Sequence, residues 1–346
     1  MPEPAAHASA ASYVLGAAMI ASLVLYVLLG GADFGGGVWD LLAHGPRKRE
    51  QRALIEHALG PIWEANHVWL ILCVVLLFAA FPPAFSVISI ALHVPITLFL
   101  IGVVLRGSAF TFRAYDMRGD VQQRRWGLVF SLASVLSPVL LGVLVGAIAS
   151  GSIHVEGGVV TSGFFETWLA PFPFVVGLYA LALFAFLAAV YLANEADTPE
   201  LADDFRARAL TSGGVVGVVA LVAFATSFAG APRIAAGLPT RPTTGPLHVG
   251  TGAAATAAFW ALTKRRFALA RLAAAAQTAL IVLGWAVSQY PYLVVGDVTL
   301  EGAAANPRTS RLLVGALAAG SVLLFPSLYF LYRVFKGARA FAVRDE

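Results

Sequence analysis

The chain has 346 residues, 59% of them hydrophobic and only 12% charged, with a formal net charge of +4 at pH 7. Soluble domains carry about 25% charged residues, so the composition excludes a water-soluble enzyme and specifies a polytopic membrane protein. The pI of about 9.4 reflects basic residues gathered in short loops, not a nucleic-acid surface.

The amino terminus, MPEPAAHASAASYV, has no Lys or Arg ahead of the first apolar run, so it lacks the basic region of a secretory signal and reads as a retained first span. A span needs about 20 apolar residues. Nine segments qualify: 11–42, 59–80, 84–112, 124–149, 169–194, 207–229, 247–263, 269–289 and 310–335. The expected fold is therefore all-α and integral to the membrane, one domain over 1–346, with helices 1–4 in 11–149, helices 5–8 in 169–289 and helix 9 in 310–335.

Charge in the loops alternates. Arg47, Lys48, Arg49 and Arg52 fill the first loop and Arg113, Arg118, Arg124 and Arg125 the third. Arg206 and Arg208 follow in the fifth, Lys264, Arg265 and Arg266 in the seventh, and Arg333, Lys336, Arg339 and Arg344 at the end. The loops around 81–86 and 150–167 have no Lys or Arg, while the sixth and eighth carry Arg233, Arg241 and Arg308. The positive-inside rule then puts the N-terminus outside and the C-terminus in the cytoplasm. An odd number of spans requires the same.

The acidic run Glu195, Asp197, Glu200, Asp203 and Asp204 reads as a solvated cytoplasmic turn, and 150–168 and 230–247 as Gly/Thr/Pro-rich outer loops. Pro95, Pro138 and Pro326 fall inside spans, where neighbouring helices can satisfy the freed carbonyls. Gly142 and Gly146 form a small-xxx-small face suited to close helix contact. The single Cys73 lies in an apolar helix, which leaves packing as its role and excludes an intrachain disulfide.

Few ionisable residues fall inside the spans, and such residues are functional candidates by default. Residues 60–71, GPIWEANHVWLI, place Glu64 and His67 between Trp63 and Trp69 at the head of the second span. Asp33 lies about 20 residues along the first span, so both acids fall near the same, cytoplasmic, face. A desolvated carboxyl there suits a proton relay fed from the cytoplasm; the alternative for Glu64 is a simple pair with a loop arginine. His67, one turn past Glu64, is a proton carrier, a metal or haem ligand, or a buried histidine bonded to Glu64 or a carbonyl. Glu64-x-x-His67 also fits one element of a di-iron bundle, but no second copy exists in the chain.

His57 stands just ahead of Glu64 and is placed to feed it protons. Trp63 suits an interfacial anchor; Trp69, about 9 Å deeper, suits a helix contact or a gas path. The glycines around Asp33, at 30–31 and 35–37, are not a phosphate loop, since the Gly-Lys-Ser/Thr ending is missing. They allow close backbone approach instead. Arg106 and Arg113 end the third span; they either snorkel to the interface or balance Glu64 or Asp33.

These motifs resemble subunit II of cytochrome bd-type quinol oxidases, including the cyanide-insensitive branch. The similar pieces are residues 29–37, LGGADFGGG; 60–70, GPIWEANHVWL; Phe81-Pro82; 105–113, LRGSAFTFR; Pro171-Phe172 with Gly177; 290–293, YPYL; and 333–337, RVFKG. The resemblance implies a multi-pass protein of the bacterial plasma membrane, built as two four-helix bundles plus one peripheral helix. It implies a heterodimer with subunit I, and room for small accessory subunits, that oxidises quinol and reduces dioxygen to water. Haems b and d, or b-type in place of d, are expected in subunit I. Neither a cofactor, a metal nor a catalytic residue is expected in this chain, and its partners are subunit I, quinol and lipid, not nucleic acid. By the same resemblance Glu64 and Asp33 stand on a proton path and Trp69 on a dioxygen route. One departure is clear: Gly30 replaces the first acid of the helix 1 motif. The competing class is a proton-coupled secondary transporter, which would place its acids near the midplane.

Overall fold

The computed structural model describes residues 9–59, 63–115, 120–240 and 244–342. In chain order the helices are α1 (Ala10–Leu41), α2 (Lys48–Leu59), α3 (Trp63–Ala80), α4 (Pro82–Ala91), α5 (His93–Tyr115), α6 (Asp120–Ser150), α7 (Pro171–Glu195), α8 (Pro199–Gly230), α9 (Pro232–Thr240), α10 (Thr244–Thr263), α11 (Phe267–Gln289), α12 (Leu300–Ala303) and α13 (Pro307–Ala342). Two short antiparallel hairpins, β1 (Val155–Glu156) with β2 (Val159–Val160) and β3 (Tyr292–Val294) with β4 (Val298–Thr299), sit together at one end. Arg47, Arg52, Arg206 and Arg265 mark the other, arginine-rich end.

Among the described residues eight helices are long and apolar enough to cross a membrane: α1, α3, α5, α6, α7, α8, α11 and α13. The expected seventh span is also a helix, the 20-residue α10. Its Gly, Ala and Thr content leaves it less apolar than those eight. Proline at the first helical positions starts α4, α7 and α8, where its missing N–H has no partner to lose.

The structure corrects three expectations. The predicted span 84–112 is two helices, the ten-residue α4 and the longer α5. The break at Leu92 follows from Pro95, which cannot donate to Ala91 and whose ring would strike that carbonyl. The first basic loop is largely helical, because α2 is amphipathic and buries Leu54 and Ile55. The acidic run is more than a solvated turn. Thr198 caps α8 by accepting from the Leu201 N–H, so the helix starts at Pro199 and carries Asp203 and Asp204 on its first turns. Asp204 accepts from Arg47 Nε at 2.9 Å and Gln51 Nε2 at 2.9 Å, and Asp203 pairs with Arg265 at 2.9 Å. The hydrogen bond to Asp204 holds the Arg47 guanidinium above its usual pKa range.

α1 is the hub and packs on α3, α6, α7, α11 and α13, while α5 pairs with α6, α7 with α8, and α10 with α11. Its glycines set these distances. A Cβ on Gly35 would lie 2.0 Å from the Phe184 carbonyl oxygen, and one on Gly37 would lie 2.2 Å from Ser134 Oγ. Across α6 and α7, a Cβ on Gly142 would lie 2.6 Å from Gly177 Cα. Backbone cannot retreat as a flexible side chain can. Gly35→Ala is therefore expected to destabilise the protein by about 1–3 kcal/mol through overpacking. The check is the thermal unfolding midpoint in detergent, compared with Gly217→Ala, a site with open space around it.

Candidate functional site

The site grows from the C-terminal half of α1, nearest the arginine-rich end, where residues 30 to 40 are all buried. Asp33 is 3% exposed there. Asn66, on the first turn of α3, donates from Nδ2 to Asp33 Oδ2 at 2.7 Å. The Asn66 oxygen in turn accepts from the Tyr332 hydroxyl at 2.9 Å, which ties α13 to the same acid. Sequence reading singled out neither Asn66 nor Tyr332. Asn66 is adjacent to His67 in the same motif, but Tyr332 lies 266 residues away and no local pattern points to it.

Arg106 does not snorkel. Its side chain is 2% exposed; Nη2 donates to the Asp33 carbonyl at 3.0 Å and Nε to Ser134 Oγ at 3.1 Å. The guanidinium lies over the rings of Phe34 and Phe130, 4.9 and 5.2 Å from their centroids. Of the two arginines expected to balance an acid, this one reaches Asp33. The Arg113 side chain lies outside the described residues.

Asp40, seven residues after Asp33 and so on the same helix face, is a further buried acid that the sequence reading passed over. It is 1% exposed, accepts from Ser131 Oγ at 3.1 Å and lies 3.7 Å from Arg52. The spacing of seven was the available signal.

A cleft with about 90 Å³ of room for water runs beside these groups. Glu195, Arg271 and Ala58 line it near the arginine-rich end, and Asp33, Asn66 and Tyr332 line it within. His57 is exposed beside Ala58 on α2.

Glu64 does not join this network. It is exposed, on a stripe of α3 that continues through Ile71, Val75 and Phe78. The expected Glu64–His67 bond is likewise absent: both His67 ring nitrogens are buried and find no hydrogen-bond partner among the described residues. The His67 ring is enclosed by Tyr26, Phe34 and Trp63, with centroids 5.8, 6.1 and 6.0 Å away. Nor do three or more His, Cys, Asp or Glu side chains converge on a metal-sized site among the described residues. Trp63 packs on Phe110 and over Gly107, and Trp69 is 6% exposed against Phe325 of α13. Both tryptophans are in helix contacts.

The comparisons agree with this architecture. An Escherichia coli (strain K12) cytochrome bd-I ubiquinol oxidase subunit 2 is 25% identical over 211 residues, covering 59% of this chain and 52% of that protein. A Bacillus subtilis (strain 168) protein assigned as a cytochrome bd menaquinol oxidase subunit II is 21% identical over 332 residues, 93% of this chain and 94% of its own length. In the solved structure of bd oxidase from Geobacillus thermodenitrificans, one chain superposes with a TM-score of 0.80 at 23% identity, covering 94% of this chain and 99% of that one. The family model for cytochrome bd terminal oxidase subunit II matches residues 11–335. The chain, a multi-pass protein of a bacterial membrane, belongs to the cytochrome bd terminal oxidase subunit II family.

Proposed function

We propose that this chain is the haem-free subunit of a bd-type oxidase and carries protons from the cytoplasm toward quinol-oxidising, dioxygen-reducing chemistry housed in subunit I. The observation that carries the reading is the cleft that brings water to Asp33 between Glu195, Arg271 and Tyr332. A buried carboxyl at the inner end of a wet cleft can take up a proton from the mouth and pass it on. Asn66 holds the carboxyl in place, and Arg106 keeps a positive charge beside it.

The reading includes nine spans, with α10 crossing alongside α11, in one membrane domain. Its two four-helix groups are α1, α3, α5, α6 and α7, α8, α10, α11, with α13 peripheral; the helix pairings support that grouping. The arginine-rich end is cytoplasmic by the positive-inside rule, and the cleft then opens to the cytoplasm.

Glu64 takes a different place in this scheme. An ionised carboxylate beside Ile71, Val75 and Phe78 would be costly against lipid, so the exposed stripe of α3 supports docking of subunit I there. Glu64 then hands protons across the contact between the two subunits, and Trp69 borders any dioxygen route from within the helix packing. Quinol binds the complex rather than this chain. A transporter site near the midplane on an inverted repeat has no support in a chain of this family.

Asp33→Asn is expected to slow quinol-oxidase turnover of the purified two-subunit complex by about tenfold or more, with haem bands in the visible spectrum unchanged. Wild-type turnover in that variant overturns the proton-path reading. Glu64→Leu is expected to slow turnover with haem retained as well. If subunit I is instead lost on purification, Glu64 is a docking contact and not a proton carrier.

A further inference from the structure

Next to Asp33, the interior between α1 and α3 holds further polar groups that do not line the cleft. Tyr26 is fully buried, and its hydroxyl has no hydrogen-bond partner among the described residues. The same holds for both ring nitrogens of His67 and for the indole N–H of Trp69. The Tyr26 and His67 rings are neighbours, 5.8 Å between centroids and tilted by 42°. Tyr26 and Trp69 pack in one apolar cluster with Phe34 and Phe184.

A buried polar group left dry is costly, so the unpartnered polar atoms on the neighbouring Tyr26 and His67 rings call for an occupant. An ordered water needs two to four polar partners. The phenol offers a donor and an acceptor, the neutral imidazole one of each, and the indole a donor. Any occupant with apolar surface would leave these groups still unsatisfied.

Position along α1 gives the cluster a direction. Tyr26, Asp33 and Asp40 are seven residues apart and share one helix face, so Tyr26 lies about 10 Å deeper than Asp33. The ring also fills the space at Gly30, where a Cβ would lie 2.7 Å from Tyr26 Cε2.

We propose that Tyr26 and His67, bridged by buried water, form the inner leg of the proton route. The proposal rests on the reading of Asp33 as the outer carrier. A proton arrives on one His67 nitrogen as the other nitrogen releases its own. The Tyr26 oxygen accepts a proton from water on a lone pair as its own hydrogen passes on. No charge accumulates, which suits a route through an apolar cluster.

The test uses the two-subunit complex in liposomes, with proton uptake followed by a pH-indicating dye after mixing with dioxygen. Haem spectra and thermal midpoints are taken in parallel. Tyr26→Phe removes one oxygen and no hydrogen bond among the described residues, so it is expected to assemble with a normal haem spectrum. The expected result is uptake slowed about tenfold or more in Tyr26→Phe and in His67→Leu. Wild-type uptake in Tyr26→Phe together with a raised thermal midpoint would show a dry, merely unsatisfied hydroxyl and overturn the inner leg. If Asp33→Asn is slow in that same experiment, the outer path survives that result; if Asp33→Asn is also wild type, both readings fall.

Discussion

A permanently charged guanidinium inside the helix packing is the constraint that the rest of the site obeys. Arg106 cannot be deprotonated at any ordinary pH, and an unpaired buried charge is among the costliest features a fold can contain. Its solution here is local and complete on two sides. One nitrogen reaches the Asp33 carbonyl, another reaches Ser134, and two aromatic faces accept the charge between them. Three helices meet here: α5 supplies the arginine, α1 the carbonyl and Phe34, α6 the serine and Phe130. The arrangement fixes how far α1, α5 and α6 can move apart, and it works only because Gly37 lets α1 come within reach of Ser134.

The same close approach explains why the glycine run surrounds an acid. Gly31 and Gly35 place α1 directly on Phe184 of α7, which closes that face of the helix with backbone and aromatic ring. The side that stays open is the one lined by Asn66, Tyr332 and the cleft. Burial and hydration of the carboxyl are thus set by one helix surface: small residues where water is excluded, polar side chains where it is admitted.

How much of this could be read from the chain depends on the range of the interaction. Apolar runs marked every span, because span length is a property of contiguous residues; the break before α5 needed Pro95 to be weighed against the apolar run around it. Asp33 was legible as an acid where acids are rare. Arg106 was legible as a candidate counter-charge, yet its burial was not, since a snorkelling arginine and a buried one have the same local sequence. Asp40 and Tyr26 carry a signal in their spacing of seven from Asp33, a pattern visible once the helix is assumed. Tyr332, Ser131 and Ser134 carry none, because a tyrosine or serine in an apolar helix is informative only when its distant partner is known. Glu64 shows the opposite failure. Rise per residue gives a position along the helix, but that position does not say which way a side chain faces.

The position of α13 follows from these polar contacts rather than from apolar burial. None of its spanning window is buried within the chain, so the hydrophobic effect gives it little preference for one face of α1 and α3 over another in lipid. What distinguishes its seat is the Tyr332 bond to Asn66 and the packing of Phe325 on Trp69. Tyr332 is at once the tether of the helix and a wall of the cleft. The consequence is a coupling between the two: if α13 shifts, the Asn66 amide loses its anchor and Asp33 loses the orientation of its one amide donor on α3. A peripheral helix with almost no buried surface therefore controls the geometry around the buried acid.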